Sequence, residues 1–189
     1  MSLEQRLTQF LNRRKTQGAL RRPADKSHLV DFSSNDYLGL ARLPLALPKL
    51  PLAGSTGSRL LSGHYPLLER LESRLCQVHQ GEAALVFNSG YSANLSLLGT
   101  LPRRADIVLY DALIHASMHD GLRLSPATAV AFAHNDVAAL EALLQAHAGK
   151  TIFVAVEAVY SMDGDQAPLL ALVDLCEQYG AYLMVDEAH

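Results

Sequence analysis

Residues 81–189 predict an α/β fold whose mainly parallel sheet is sandwiched by helices. Three observations carry this. The strand-like segments are apolar throughout rather than alternating, so both of their faces need cover. Amphipathic helical segments separate them at regular intervals. Polar residues able to do chemistry follow the strand segments, on the rim where open parallel sheets gather ligands.

The first eighty residues read as an irregular N-terminal arm of helix, short strand and connector. Ser2 opens a helix with Gln5 three places on, a capping-box spacing, and Leu3, Leu7, Phe10 and Leu11 share one face. Gly18 is its expected stop. The segment HLVDF (28–32) reads as a short strand and SSNDYLGL as a polar turn. Pro44, Pro48 and Pro51 deny regular structure to the connector that follows. After the glycine- and serine-rich GSTGSRLLSGHY, Pro66 opens a second helix at the position proline tolerates. Its apolar face is Leu67, Leu68, Leu71, Leu75 and Val78, and Gly81 is expected to end it.

From there the rhythm alternates. AALVF reads as a strand, SGYSANLSLLGTL as a turn into a helix, DIVLYD as a strand and LIHASMHDGLRL as a helix. Strand TAVAFA, helix DVAALEALLQAHAG, strand TIFVAVEAVY, helix APLLALVDLCEQYG and strand AYLMVDE complete the series. Right-handed crossovers put every strand tip on one rim. That rim collects Asn88 to Tyr91, Asp111, His115, His134, Asn135, Glu157, Ser161, Asp163, Asp165, Asp186, Glu187 and His189.

Composition narrows the function classes. The 189 residues are 49% hydrophobic and 19% charged, with a formal net charge of −3, so no basic surplus points to nucleic acid. No apolar run approaches the roughly 18 residues of a membrane span. The amphipathic N-terminus lacks a signal peptide's apolar segment. Cys76 and Cys176 sit within apolar helical patterns and read as buried thiols of a reducing compartment. A cytoplasmic location is the expectation.

The motifs allow competing chemistries. Gly90 stands at a strand-to-helix turn, where first-turn N–H groups and the helix dipole form an anion cup, although a plain N-cap by Ser89 explains the same residues. The closing VDEAH suggests a nucleotide-driven helicase, which also needs GxxxxGK[ST] between a strand and a helix. Here Gly149-Lys150-Thr151 follows a helix, and Leu144 stands where the first glycine belongs, so that reading fails. His115 and His119 have zinc-like spacing, but Ala116 replaces the needed glutamate and no third ligand is near, so no metal is expected. The serine-hydrolase elbow GxSxG is absent.

FSSNDYLGL, GSRLLSG, NSGYSAN, HAS, AHND, EAVYSMDGDQAPL and VDEAH, in this order, resemble the α-oxoamine synthases. These are pyridoxal 5′-phosphate (PLP) enzymes of fold type I, with an aspartate-aminotransferase-like large domain, that join an amino acid to an acyl thioester and release carbon dioxide. The likeness spans essentially the whole chain and is strongest to members that make a biotin precursor from alanine and a pimeloyl thioester. Glycine-using and serine-using members are the alternatives.

The resemblance implies site residues. Asp186 would pair with the PLP ring nitrogen, and His115 would lie against the ring face. Ser161 and His189 would lie near the phenolic oxygen, and Ser89, Gly90 and Tyr91 would hold the phosphate. Asn35 and Arg21 match positions that bind substrate carboxylates, and Glu157 an acidic supporting position. Catalytic roles fall to His115, Asp186 and His189. Each residue also has a plainer reading, as a cap, a turn former or a packed core histidine. Partners would be an amino acid and an acyl-CoA or acyl-carrier-protein thioester, in a homodimer.

The family's PLP-bonding lysine follows the VDEAH strand, and none of Lys15, Lys26, Lys49 and Lys150 matches it. The expectation is a truncated part, covering the first portion of the large domain without the C-terminal small domain, inactive alone; a non-catalytic binding piece is the alternative from another class.

Overall fold

A computed structural model describes residues 1–25, 27–44 and 54–189. Most of the proline-rich connector, with Pro48, Pro51 and Lys49, lies outside the described residues, as does Lys26. The chain forms two compact units, residues 1–47 and 48–189.

In the first unit, helix α1 (Leu3–Thr16) starts with the reciprocal cap its spacing predicts: Ser2 Oγ accepts from Gln5 N, and Gln5 Oε1 accepts from Ser2 N. Gly18 adopts the left-handed conformation just past its end. The apolar face of Leu3, Leu7, Phe10 and Leu11 is exposed. Residues 28–32 do not form the expected strand. Leu29, Val30 and Phe32 are exposed, and Asp31 instead accepts from the Ser33 backbone, a local bond that competes with ladder pairing. Asp36 accepts from Leu40 and Ala41, starting a 3₁₀ turn over Leu40–Arg42.

The second unit opens with α2 (Pro66–His79), with Pro66 in its first turn. Its end differs from expectation: Gln80, not Gly81, takes the left-handed cap position, at φ 52°. Residues 83–87 are not a strand either. The Val86 N–H goes to Glu72 of α2 at 2.9 Å instead of to a neighbouring strand. Arg59 grips the same carboxylate at 2.6 and 2.9 Å, and these donors hold Glu72 down to about 2.

The remaining elements alternate as the pattern requires: α3 (Gly90–Thr100), β1 (Ile107–Asp111), α4 (Ala116–Leu124), β2 (Thr128–Phe132), α5 (Val137–Ala146), β3 (Ile152–Glu157), α6 (Leu169–Tyr179) and β4 (Tyr182–Asp186). Gly180, left-handed at φ 65°, closes α6 and turns the chain into β4. The four strands are parallel in the order β2-β1-β3-β4. The chain leaves β1 toward β2 and leaves β3 toward β4, so the switch point lies between the tips of β1 and β3.

Strand parity sorts the core into two layers. Ile107, Leu109, Ile152, Val154 and Val156 face Leu140 and Leu144 of α5 and Leu172 and Leu175 of α6. Val108 and Ala155 face Leu98 of α3 and Met118 and Leu122 of α4. Each large side chain buried this way stabilises the fold by roughly 1.5–3 kcal/mol. Cys176 is buried in the first layer, where burial pushes its thiol up to about 11, while Cys76 is only half-buried, less than the sequence suggests. Both thiols are free.

Gly121 sets the approach of α3 to α4. A Cβ there would stand 2.9 Å from the Asn94 carbonyl oxygen and 2.9 Å from Leu98 Cβ. Gly121→Ala is therefore expected to push the helices apart and cost about 1–3 kcal/mol in urea denaturation. A loss within experimental error would show that the contact relaxes freely.

Candidate active site

The last residue of β3, Glu157, pairs in register with the last residue of β4, Asp186. Both follow the parity of Ala155 and Met184, which face α3 and α4, so their carboxylates sit side by side on that face. Glu157 is buried at 4% exposure, and Asp186 is half-buried. Burial first, and the charge of Asp186 second, push the Glu157 carboxyl upward, against the His115 backbone and the charge of His189.

Asp186 is held at both oxygens. Ala188 N donates to Oδ1 at 2.9 Å, and Asn94 Nδ2 donates to Oδ2 at 2.6 Å. Asn94 lies one turn into α3, four residues after Gly90, so the first turn of α3 is within a side chain's reach of the acid. Asn94 Nδ2 also donates to Ser117 Oγ at 3.0 Å, and Ser117 Oγ lies 2.7 Å from His115 Nδ1. His115 caps α4 by accepting from Ser117 N at 3.2 Å. Three hydrogen bonds thus link Asp186 to His115.

At the head of α3, Ser89 accepts from Ser92 N and caps the helix, leaving the Gly90 and Tyr91 N–H groups without a bond among the described residues. Gly90 faces open space. The Ser89 cap and the two unbonded first-turn N–H groups thus occur together. The Tyr91 ring meets His115 edge-on at 6.4 Å, and its hydroxyl donates to Asp120, itself paired with Arg123.

The other expected residues are less gathered. Ser161 is exposed on the turn after β3, which Gly164 N → Tyr160 O and Tyr160 N → Asp165 O hold closed. His189 is exposed and near enough to Glu157 for its charge to be felt. Arg21 and Asn35 are exposed in the first unit. Lys150 precedes β3, so the length of that strand, about 20 Å for six residues, separates it from the Glu157 rim.

Sequence reasoning missed two groupings: the pair Asn94 and Ser117, and the bonding of the rim residues Asp111, His134, Asn135 and Asp165 into one network. Asn94 and Ser117 lie inside the quoted NSGYSAN and HAS, and the i, i+4 spacing from Gly90 to Asn94 was the available signal. The second group is a network on the opposite sheet face. Asp111, fully buried, accepts from Leu113 N, Asn135 N and His134 Nδ1, each at 2.8 Å. His134 Nε2 then donates to Asp165 at 2.6 Å, and Asn135 Nδ2 donates to the same carboxylate at 2.8 Å. Tyr160 packs edge-on against His134 at 4.5 Å.

The family description "Aminotransferase class I and II" matches residues 27–189. The chain belongs to this family. It is 48% identical over 171 residues to 8-amino-7-oxononanoate synthase of Chromobacterium violaceum, covering 87% of this chain and 45% of the relative. The same-named protein of Chlorobaculum parvum is 46% identical, over 85% of this chain and 45% of its own length. The chain thus spans less than half the length of these relatives. Among solved structures, serine palmitoyltransferase of Sphingomonas wittichii aligns with a TM-score of 0.69 at 42% identity, covering 72% of this chain and 34% of that one. 8-Amino-7-oxononanoate synthase of Francisella tularensis aligns at 0.64 and 27% identity, over 87% and 46%. All are α-oxoamine synthases, so the resemblance read from the motifs holds, and so does the fold type I architecture. PLP is the family's cofactor. Among the described residues, no helix is long and apolar enough to cross a membrane.

Proposed function

We propose that these residues form the ring- and phosphate-binding half of a PLP-dependent, decarboxylating C-acyltransferase that joins L-alanine to a pimeloyl thioester, giving 8-amino-7-oxononanoate. The single observation behind this reading is the chain of hydrogen bonds linking Asp186, the first turn of α3 and His115. It brings one carboxylate, one aromatic ring and an unspent anion cup together.

The residues fit the cofactor. Gly90 and Tyr91 N–H groups, next to the Ser89 cap, would take phosphate oxygens. Asp186, fixed at both oxygens, would keep a proton on the ring nitrogen by opposing its charge. When bound, PLP supplies an electron sink for the substrate's α-carbon. His115 would cover the ring face, and Ser161 and His189 would bond its phenolic oxygen. Glu157, whose carboxyl is pushed upward, would stay protonated over a wider range and spare Asp186 a second negative charge. Asn35 and Arg21 would receive substrate carboxylates, in a homodimeric cytoplasmic enzyme. The stronger fold match to serine palmitoyltransferase keeps serine as a second candidate amino acid, against the sequence identity to the alanine-using relatives.

With no tryptophan and seven tyrosines, PLP binding is readable as quenching of tyrosine fluorescence. One saturable site, competed by inorganic phosphate, is expected; no saturable site would overturn the reading. Alanine, more than serine or glycine, should then perturb the absorbance of bound PLP. Borohydride reduction and peptide mapping should leave Lys15, Lys26, Lys49 and Lys150 unmodified, and a single trapped lysine would show that this chain bonds the cofactor covalently.

A further inference from the structure

We infer that Asn94 and Ser117 are positioning residues: through them one hydrogen-bonded chain sets which ring nitrogen of His115 carries the proton and ties that ring to the Asp186 carboxylate. The inference rests on the PLP reading only for its catalytic meaning, since the geometry stands without it.

The donors leave one consistent arrangement. Asn94 Nδ2 has two hydrogens, and it meets Asp186 Oδ2 at 2.6 Å and Ser117 Oγ at 3.0 Å. The flipped amide would set its oxygen against a carboxylate, so the orientation follows from charge. Ser117 Oγ, accepting from Asn94, directs its own hydrogen to His115 Nδ1 at 2.7 Å. The Ser117 backbone N–H, which can only donate, points at the same nitrogen from 3.2 Å. Nδ1 therefore accepts, and the imidazole proton sits on Nε2.

Ser117, at 0% exposure, keeps water from the middle of the chain, while Asn94 and Asp186 are half-buried and His115 is exposed. The close approach of α3 to α4 at Gly121 makes the reach of Asn94 to Ser117 possible. Asp186 ends β4 and His115 follows β1, and this pair of side chains, one on each helix, joins them. Neither residue needs to touch cofactor or substrate to act. Each restricts a group that does.

The test uses the 189-residue chain, ¹⁵N-labelled and without cofactor, by long-range ¹H–¹⁵N spectra at a pH where histidine is neutral. His115 should show an accepting Nδ1 and a proton-bearing Nε2, in excess by about tenfold or more, as two donors on one nitrogen imply. Ser117→Ala should lower that ratio by about fivefold, the worth of one neutral hydrogen bond, and Ser117→Thr should restore it. Asn94→Ala should also shift the His115 signals, although Asn94 makes no hydrogen bond to His115. A dominant Nδ1–H form in the unmodified chain overturns the inference, whatever the variants do. So does an unchanged His115 ratio in Ser117→Ala and Asn94→Ala whose other amide signals stay native. Failure of PLP to bind would sink the proposed function while leaving the tautomer result intact, so the two failures are distinguishable.

Discussion

Replacing Asp186 with alanine is expected to weaken PLP binding by this chain about 10- to 100-fold, the worth of one charge-assisted hydrogen bond. Asn94 and Ala188 hold the carboxylate rigidly, so its loss removes an oriented charge rather than one of several mobile rotamers. Asp186→Asn should bind nearly as poorly, because the amide keeps the shape and loses the charge. Where the same residues act in a protein of the relatives' full length, kcat/KM should fall on the order of 10²- to 10³-fold, about 3–4 kcal/mol, as when one preorganised electrostatic group is removed. Fluorescence titration of the variants measures the first effect. Equal PLP affinity in the unmodified chain and in Asp186→Ala would remove the acid from the site.

The second large effect lies on the other face of the sheet. Asp111→Ala is expected to destabilise the fold by about 3–5 kcal/mol, because three part-buried donors, one on a histidine flanked by two carboxylates, lose their fully buried acceptor together. For a domain stable by roughly 5–15 kcal/mol this is a large fraction of the total. Urea denaturation measures it, and a loss below about 1 kcal/mol would mean that water replaces the carboxylate at little cost.

His134 gives this network a pH dependence. Desolvation opposes its charge, but the bonds to Asp111 and Asp165 outweigh that and raise its pKa above the ordinary 6.5. A group with a raised folded-state value binds its proton more tightly in the native protein. Its stabilisation is fully present below about 6.5 and is lost as pH rises through the folded value. Glu157, also raised, adds a loss in the same direction, starting above its ordinary carboxylate value of 4.5. The stability difference between the unmodified chain and His134→Gln should therefore shrink from about pH 5.5 to about pH 8.5, isolating the histidine from the Glu157 contribution that both chains share. A difference that grows with pH would refute the assignment.

Much of the fold was legible because hydrophobic period and caps are local. The reciprocal Ser2–Gln5 cap, Pro66 in the first turn of α2 and Gly180 at the end of α6 were readable from residues within a few positions of each other. The failures were segments whose state depends on distant partners. Residues 28–32 and 83–87 have strand-like composition, yet a strand needs a neighbour to accept its ladder, and Asp31 and Glu72 supply competing bonds instead. At the site, the motifs named Asp186, His115 and Gly90, but not the two side chains that connect them. Asn94 and Ser117 are polar residues on helices, and helical position alone does not say what lies across a gap.

By itself the amino-acid order determined the alternation of strands and helices, and hence that one rim of a parallel sheet would carry the polar groups, because periodicity and right-handed crossovers follow from local chirality and burial. Only the tertiary structure divided that rim in two. Asp111 shares the parity of Leu109 and joins His134 and Asp165 beside α5, while Glu157 and Asp186 share the parity of Ala155 and Met184 and meet α3 and α4. A strand shifted by one residue would exchange the two sets, and the register that prevents this is settled by packing between elements far apart in the chain.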